Sequence, residues 1–168
     1  MCRAGDQKAQ FQIYKLYYKA MYNTSLRIVS NQMEAEDIMQ ESFLSAFEKI
    51  STYSGTVSFG AWIKRIVVNR SIDALRRNGK VIFRDIDSIS ESETGCIEDY
   101  NHNEETDAKV QKLMEAVKRL PHGCRIVLSL HLFEGYDHDE IGEILSISPS
   151  SSRSQFSRAR QRLTNDIG

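Results

Sequence analysis

Proline and glycine are scarce in this chain, two and nine in 168 residues. Few alternating β-branched runs accompany them, so most all-β architectures, which need frequent turns, are excluded. Cys2, Cys96 and Cys124 are odd in number and show no CxxC spacing. That argues against a disulfide framework or a zinc site and fits a reducing cytoplasm. No apolar run approaches the ~20 residues of a membrane span. Residues 1–6 carry no apolar leader, so no secretory signal is expected. The stretch from Gly55 to Gly60 lacks the spacing and the trailing Lys-Ser/Thr of a phosphate loop. His102, His122 and Cys124 have no matching neighbours for nucleophilic catalysis. No enzyme and no cofactor are therefore expected.

What is present is an ordinary globular balance, 40% apolar and 27% charged. The net charge of −1 argues at first against nucleic acid. Its distribution argues the other way. Residues 1–80 hold 12 Lys and Arg against 7 acids, and residues 109–168 hold 9 against 7. Residues 81–108 hold one Arg against 9 acids. Two mildly basic blocks flank an acidic one, and the average hides them. The middle block is polar, like-charged and aperiodic, so it reads as a flexible linker. As a tether it has no further role. As a competitor of phosphate for the basic faces, it would weaken DNA binding by the free chain.

Apolar spacing predicts helices in both flanking blocks. Residues ~6–30 carry Tyr14, Tyr17, Tyr18, Met21, Ile28 and Val29 on a core face. Residues ~33–50 place Ala35, Ile38, Met39, Phe43, Ala46, Phe47 and Ile50 on one stripe. A Ser/Gly-rich loop at 53–58 precedes a long helix, 59–77, with Asn78-Gly79 as its stop. In the last block, a helix ends at Pro121 and a largely buried one spans ~123–134. Asp137 and Glu140 have capping-box spacing before Ile141, Ile144 and Leu145. Ser146-Ile147-Ser148 is a tight turn, with Ser148 as cap and Pro149 as first residue of the final helix. Two short helices joined by a three-residue turn, the second basic, are a helix-turn-helix pattern.

Three faces carry chemistry. On the last helix Ser152, Phe156, Ala159 and Leu163 form a core stripe. Ser150, Ser154, Ser157, Arg158 and Gln161 lie opposite, flanked by Arg153. Arginine offers paired donors to guanine edges and phosphates, and serine lets the backbone come close. On the 59–77 helix Trp62, Arg65, Asn69, Asp73 and Arg76 share a face, a set suited to stacking bases and gripping a strand. Trp62 fits a thin helical core equally well. Glu34, Asp37 and Glu41, with Gln40 beside them, form an acidic stripe. It is either a solvated face or a docking surface for a basic partner. A helical metal-binding protein would use His131 and the Asp137, His138, Asp139, Glu140 cluster. A plain DNA-binding regulator would leave Trp62, Asn69 and the acidic stripe without a task.

Residues 33–47, MEAEDIMQESFLSAF, resemble the DAEDIVQEVFL stretch of bacterial RNA polymerase sigma factors. Residues 59–77 resemble their F-x-x-W-L-x-x-I-x-x-N-x-x-x-D-x-x-R-R helix. Leu120-Pro121 and FEGYDHDEIGEILSI, 133–147, resemble LP and FEGLSYEEIAEILGIS. Arg158-Ala159-Arg160-Gln161-Arg162-Leu163 matches RARxxL. These motifs in order, with a linker where a middle domain would stand, resemble the extracytoplasmic-function (ECF) subfamily.

The resemblance implies an all-α chain of two small helical domains, an N-terminal bundle at 1–80 and a C-terminal helix-turn-helix at 109–168, joined by the acidic linker at 81–108. It implies a non-catalytic cytoplasmic subunit that binds core RNA polymerase, through its β′ clamp and β subunits, and directs promoter-specific initiation. An anti-sigma factor is a further implied partner; no metal and no small-molecule substrate are. Glu34, Asp37, Gln40 and Glu41 would dock the polymerase. Ser54, Gly55, Thr56, Trp62, Arg65, Asn69, Asp73 and Arg76 would bind and melt the −10 element, the loop capturing a flipped-out base. Ser150, Arg153, Ser154, Ser157, Arg158, Arg160 and Arg162 would read the −35 element. Pro149 and the serines after it depart from the family's SxGTVKSRL run, so no −35 preference carries over.

Overall fold

The computed structural model describes residues 6–77 and 108–167, all of whose regular elements are helical. The acidic linker, the Asn78-Gly79 stop, Cys2 and Cys96 lie outside the described residues. The chain divides into two units, split after Asn78.

The first unit holds α1 (Gln7–Val29), α2 (Gln32–Glu48) and α3 (Phe59–Arg77), with one 3-10 turn at Ile50–Thr52. Each start has a side-chain acceptor for an orphan backbone N–H. Asp6 accepts from Lys8, Asn31 from Glu34 and Ser58 from Ala61. Every helix packs on the other two. Ile28, Ile63, Val67, Val68, Ile72 and Leu75 are the largest side chains shut away from water. Ala35 and Ala46 let the helices approach closely. Ser25 and Ser71 share a buried 2.9 Å hydrogen bond, so the polar pair between α1 and α3 is satisfied. The expected tyrosine stripe of α1 is at the edge of this core: Tyr14, Tyr17 and Tyr18 are half-buried, whereas Met21, Ile28 and Val29 are buried.

The second unit holds α4 (Ala108–Lys118), α5 (His122–Leu132), α6 (His138–Leu145) and α7 (Pro149–Ile167). Leu120, Cys124, Leu128, Ala159 and Leu163 form one cluster, edged by Phe156. α6 opens on the expected capping box: Asp137 accepts from the Glu140 backbone at 2.7 Å and Glu140 accepts from the Asp137 backbone at 3.3 Å. Ser148 caps α7, accepting from the Ser151 backbone at 3.1 Å. The turn between α6 and α7 is tight. A Cβ at Gly142 would sit 2.7 Å from the Ile147 carbonyl oxygen. Ser146 takes φ +58°, a left-handed conformation costly for any residue but glycine. The resembling family motif has glycine there.

Candidate nucleic-acid interface

The 53–58 loop ends in Ser58 and feeds α3, whose buried side holds Ile63, Val67, Val68, Ile72 and Leu75. Helical period therefore turns Asn69, Asp73 and Arg76 to solvent, with Arg65 half-buried beside them. Ser54, Gly55 and Thr56 are exposed. Trp62 is neither core nor free surface. It is half-buried in an aromatic cluster, 5.1 Å from Tyr53 and 5.7 Å from Phe59 between ring centroids. Phe59 reaches on to Tyr17 of α1 at 5.7 Å. The whole expected set, loop and helix face, thus lies on one element and the turn leading into it.

On α2, Asp37, Gln40 and Glu41 are exposed and Glu34 is half-buried. Two features here escaped the sequence pattern. Glu41 pairs with Arg70 of α3 at 3.6 Å, linking the acidic stripe to the helix behind the loop. Gln40 also lines a groove of about 450 Å³ with Gln7, Gln10, Phe11, Tyr14, Phe43, Leu44 and Phe47. The exposure of Phe11 and Leu44, 56% and 65%, marks it. Apolar residues at both positions, off the core stripes, were the only signal in the sequence.

On α7, Ser152, Ala159 and Leu163 are buried as the periodicity requires. Ser150, Arg153, Ser157, Arg160 and Arg162 are exposed; Ser154 and Arg158 are half-buried. At 100° per residue, Ser150, Ser154, Ser157 and Gln161 centre the outward face, with Arg153 and Arg158 at its edges. Arg160 and Arg162 stand farther round, on opposite flanks. The Arg160 guanidinium lies over the Phe156 ring, 5.8 Å from its centroid. The arginines therefore ring the outward face, and the serines fill it.

Behind this helix is an aromatic group the sequence did not reveal. His131 of α5 and His138 of α6 stack with centroids 4.6 Å apart, and Phe156 meets both edge-on. The His131 Nδ1–H donates to the Tyr136 carbonyl at 2.8 Å, and His138 Nδ1 shares a 2.8 Å bond with the buried Ser152 hydroxyl. Burial of the ring, then His131 and Arg153, hold the His138 pKa below its ordinary value against the pull of Asp137 and Asp139. His131 and His138 thus brace the helix-turn-helix, and Asp137 and Glu140 are engaged in capping α6. The Cys124 thiol is buried and donates to Gln155 at 3.1 Å. Burial pushes its pKa up and keeps it protonated.

Comparison with known proteins agrees with this layout. Residues 13–81 match the family model for Sigma-70 region 2, and residues 110–163 that for Sigma-70, region 4. The ECF RNA polymerase sigma factor SigE of Mycolicibacterium smegmatis is 29% identical over 95% of this chain, which spans 63% of that relative's length. The ECF RNA polymerase sigma factor SigW of Bacillus subtilis is 27% identical over 98% of this chain and 92% of its own. The sigma-E factor of Haemophilus influenzae is 25% identical over 97% and 89%. Among solved structures, the sigma factor RpoE of Bartonella quintana, in complex with the anti-sigma factor NepR, superposes with a TM-score of 0.66 at 20% identity. That match covers 95% of this chain and 97% of RpoE. CnrH, in complex with the cytosolic domain of CnrY, superposes with a TM-score of 0.56 at 18% identity, over 98% and 90% of the two chains. With a region 2 match on the unit that carries the loop and acidic stripe, and a region 4 match on the unit that carries the helix-turn-helix, the chain belongs to the sigma-70 family, among its ECF-type RNA polymerase sigma factors.

Proposed function

We propose a division of labour between the two domains of this sigma factor, 1–80 and 109–168. Sigma factors are initiation factors rather than catalysts, and this chain acts by binding core RNA polymerase and promoter DNA in the cytoplasm. Glu34, Asp37, Gln40 and Glu41 dock the polymerase, offering carboxylates and an amide to a basic partner surface. Ser54, Gly55, Thr56, Trp62, Arg65, Asn69, Asp73 and Arg76 hold the opened −10 strand. Holding an unstacked base by stacking or hydrogen bonds offsets about 1–3 kcal/mol of strand separation. Ser150, Arg153, Ser154, Ser157 and Arg158 meet the −35 groove, with Arg160 and Arg162 on phosphates at its flanks.

The observation that carries this reading is the outward stripe of α3 beginning at the hydroxyl-rich loop, with the acidic stripe on a separate helix of the same unit. Melting and docking groups are thus separable by mutation. RpoE is seen with the anti-sigma factor NepR and CnrH with the cytosolic domain of CnrY, and from the first we extend an anti-sigma partner to this chain.

The test uses holoenzyme reconstituted from core polymerase and the full chain. A permanganate footprint reports strand opening, and a pull-down reports docking. Asn69→Ala, and Ser54→Ala with Thr56→Ala, are expected to dock normally and open the promoter poorly. Normal opening by these variants refutes the role given to the loop and α3.

A further inference from the structure

The tip of the 53–58 loop is exposed, yet its shape is held from inside. The Tyr53 hydroxyl donates to the Val57 carbonyl and closes the loop on itself. The Ser54 and Thr56 hydroxyls lie 3.0 Å apart within that closure. Gly55 between them takes φ +78°. The Tyr53 ring is anchored in turn, 5.1 Å from Trp62 and edge-on to Phe59 at 6.0 Å. One side chain therefore joins the loop tip to the helical body: its ring belongs to the aromatic cluster and its hydroxyl to the loop.

We infer that Tyr53 is a positioning residue for promoter opening, its hydroxyl holding the Ser54–Gly55–Thr56 tip in the shape that receives an unstacked base. The inference rests on the base-capturing reading of the loop given above. The physical reason is preorganisation. A free loop loses conformational freedom when it takes a base, and that cost subtracts from binding. A loop tied across its ends bears the cost on folding, before DNA arrives. A phenylalanine at this position would keep the ring contacts and release the tip.

The experiment follows opening by permanganate on a promoter the reconstituted holoenzyme selects in run-off transcription. Tyr53→Phe is expected to open it about three- to tenfold more slowly, the worth of one hydrogen bond. Docking stays unchanged, and the melting temperature falls by no more than the few degrees that one hydrogen bond accounts for. Gly55→Ala disturbs the tip from the other side: no atom lies within 4 Å of the added Cβ, but φ +78° strains it. It is expected to slow opening likewise. An abasic sugar is then placed at each position of the melted strand in turn. Where the captured base is missing, wild type and Tyr53→Phe open at the same rate, because the tip has nothing to hold; elsewhere the ratio persists. A hydroxyl that merely stabilised the fold would lower opening by one constant factor on every template, and that result overturns the inference. Equal rates on the intact promoter overturn it too. If Ser54→Ala with Thr56→Ala also opens normally, the base-capturing reading falls with it; if that variant fails to open, only the role of Tyr53 falls.

Discussion

The α1–α3 unit spreads its core over three helices of 23, 17 and 19 residues, each packed on the other two. The α4–α7 unit sets helices of 11, 11 and 8 residues against one of 19, and α7 touches all the others. In the first unit the proposed docking and melting groups occupy different helices, joined at the surface by the Arg70–Glu41 pair. In the second, the proposed reading helix is also the keystone of the core: Ser152 and Ala159 are fully buried while Arg153 and Ser157 face water. The difference teaches where function can be separated from stability. In the first unit it separates by helix, and in the second by which side of one helix is changed.

The largest expected effect tests the first unit. Asp37→Lys with Glu41→Lys sets like charges against a basic partner and is expected to lower polymerase affinity by about a hundredfold or more. Loss of the exposed Arg70 pair costs the fold at most about 1 kcal/mol. A pull-down beside a melting curve separates the two, and retained docking would break the proposed role of α2.

Next is a change that should destabilise one unit alone. Gly142→Val places a branched side chain where a Cβ already meets the Ile147 carbonyl at 2.7 Å. About 1–3 kcal/mol of destabilisation is expected in the helix-turn-helix. Hydrogen exchange of α1–α3 should stay as in wild type; loss of protection there would show that the units do not fold separately.

Arg153→Ala and Arg158→Ala sharpen the two-sided reading of α7. Each is expected to cost about 1–3 kcal/mol of promoter discrimination with stability retained. Binding curves on matched and scrambled −35 duplexes give the answer. Equal affinity for both, in wild type and variants alike, removes α7 from sequence readout.

A smaller effect, of opposite sign, is expected at Ser146. Glycine adopts φ +58° without the Cβ clash, less its greater freedom when unfolded. Ser146→Gly should therefore stabilise the second unit by about 0.5–1 kcal/mol. A urea midpoint that falls would show that Ser146 is not strained.

The smallest effect is a pH dependence expected in the second unit. The folded His138 pKa lies below the ordinary histidine value of about 6.5, so the unfolded chain binds more protons there. Stability is thus complete above about pH 6.5 and is lost as pH falls from there through the folded pKa. The urea midpoint should drop on acidification, and His138→Gln, which keeps an acceptor for Ser152 but does not titrate, should flatten that drop. An unchanged slope in the variant would assign the acid sensitivity to other groups.

Much of the fold was legible because it is local. Asp137 and Ser148 were readable as caps because such motifs span only two or three residues, and they cap α6 and α7; Asp6, Asn31 and Ser58 cap the helices of the first unit by the same short-range geometry. The buried stripes of α3 and α7 followed from a 3.6-residue period. The outward residues of the proposed DNA faces followed by subtraction, since what is not core on an amphipathic helix faces water. Tyr53 shows the limit. Its place before a Ser/Gly-rich loop was plain, but its hydroxyl bond depends on how Gly55 turns the chain. Trp62 had two readings on one helical wheel, and only its half-burial beside Tyr53 and Phe59 settled its surroundings.

The sequence by itself determined the helices, their caps, the family motifs and the charge blocks, because each is encoded by neighbours within a turn or two. Tertiary structure alone decided that Glu41 meets Arg70, that His131 stacks on His138 against Phe156, and that Phe11 and Leu44 open a groove beside Gln40. Those contacts join side chains on different helices. They depend on crossing angles and helix rotation, set by the summed packing of buried side chains rather than by any local pattern.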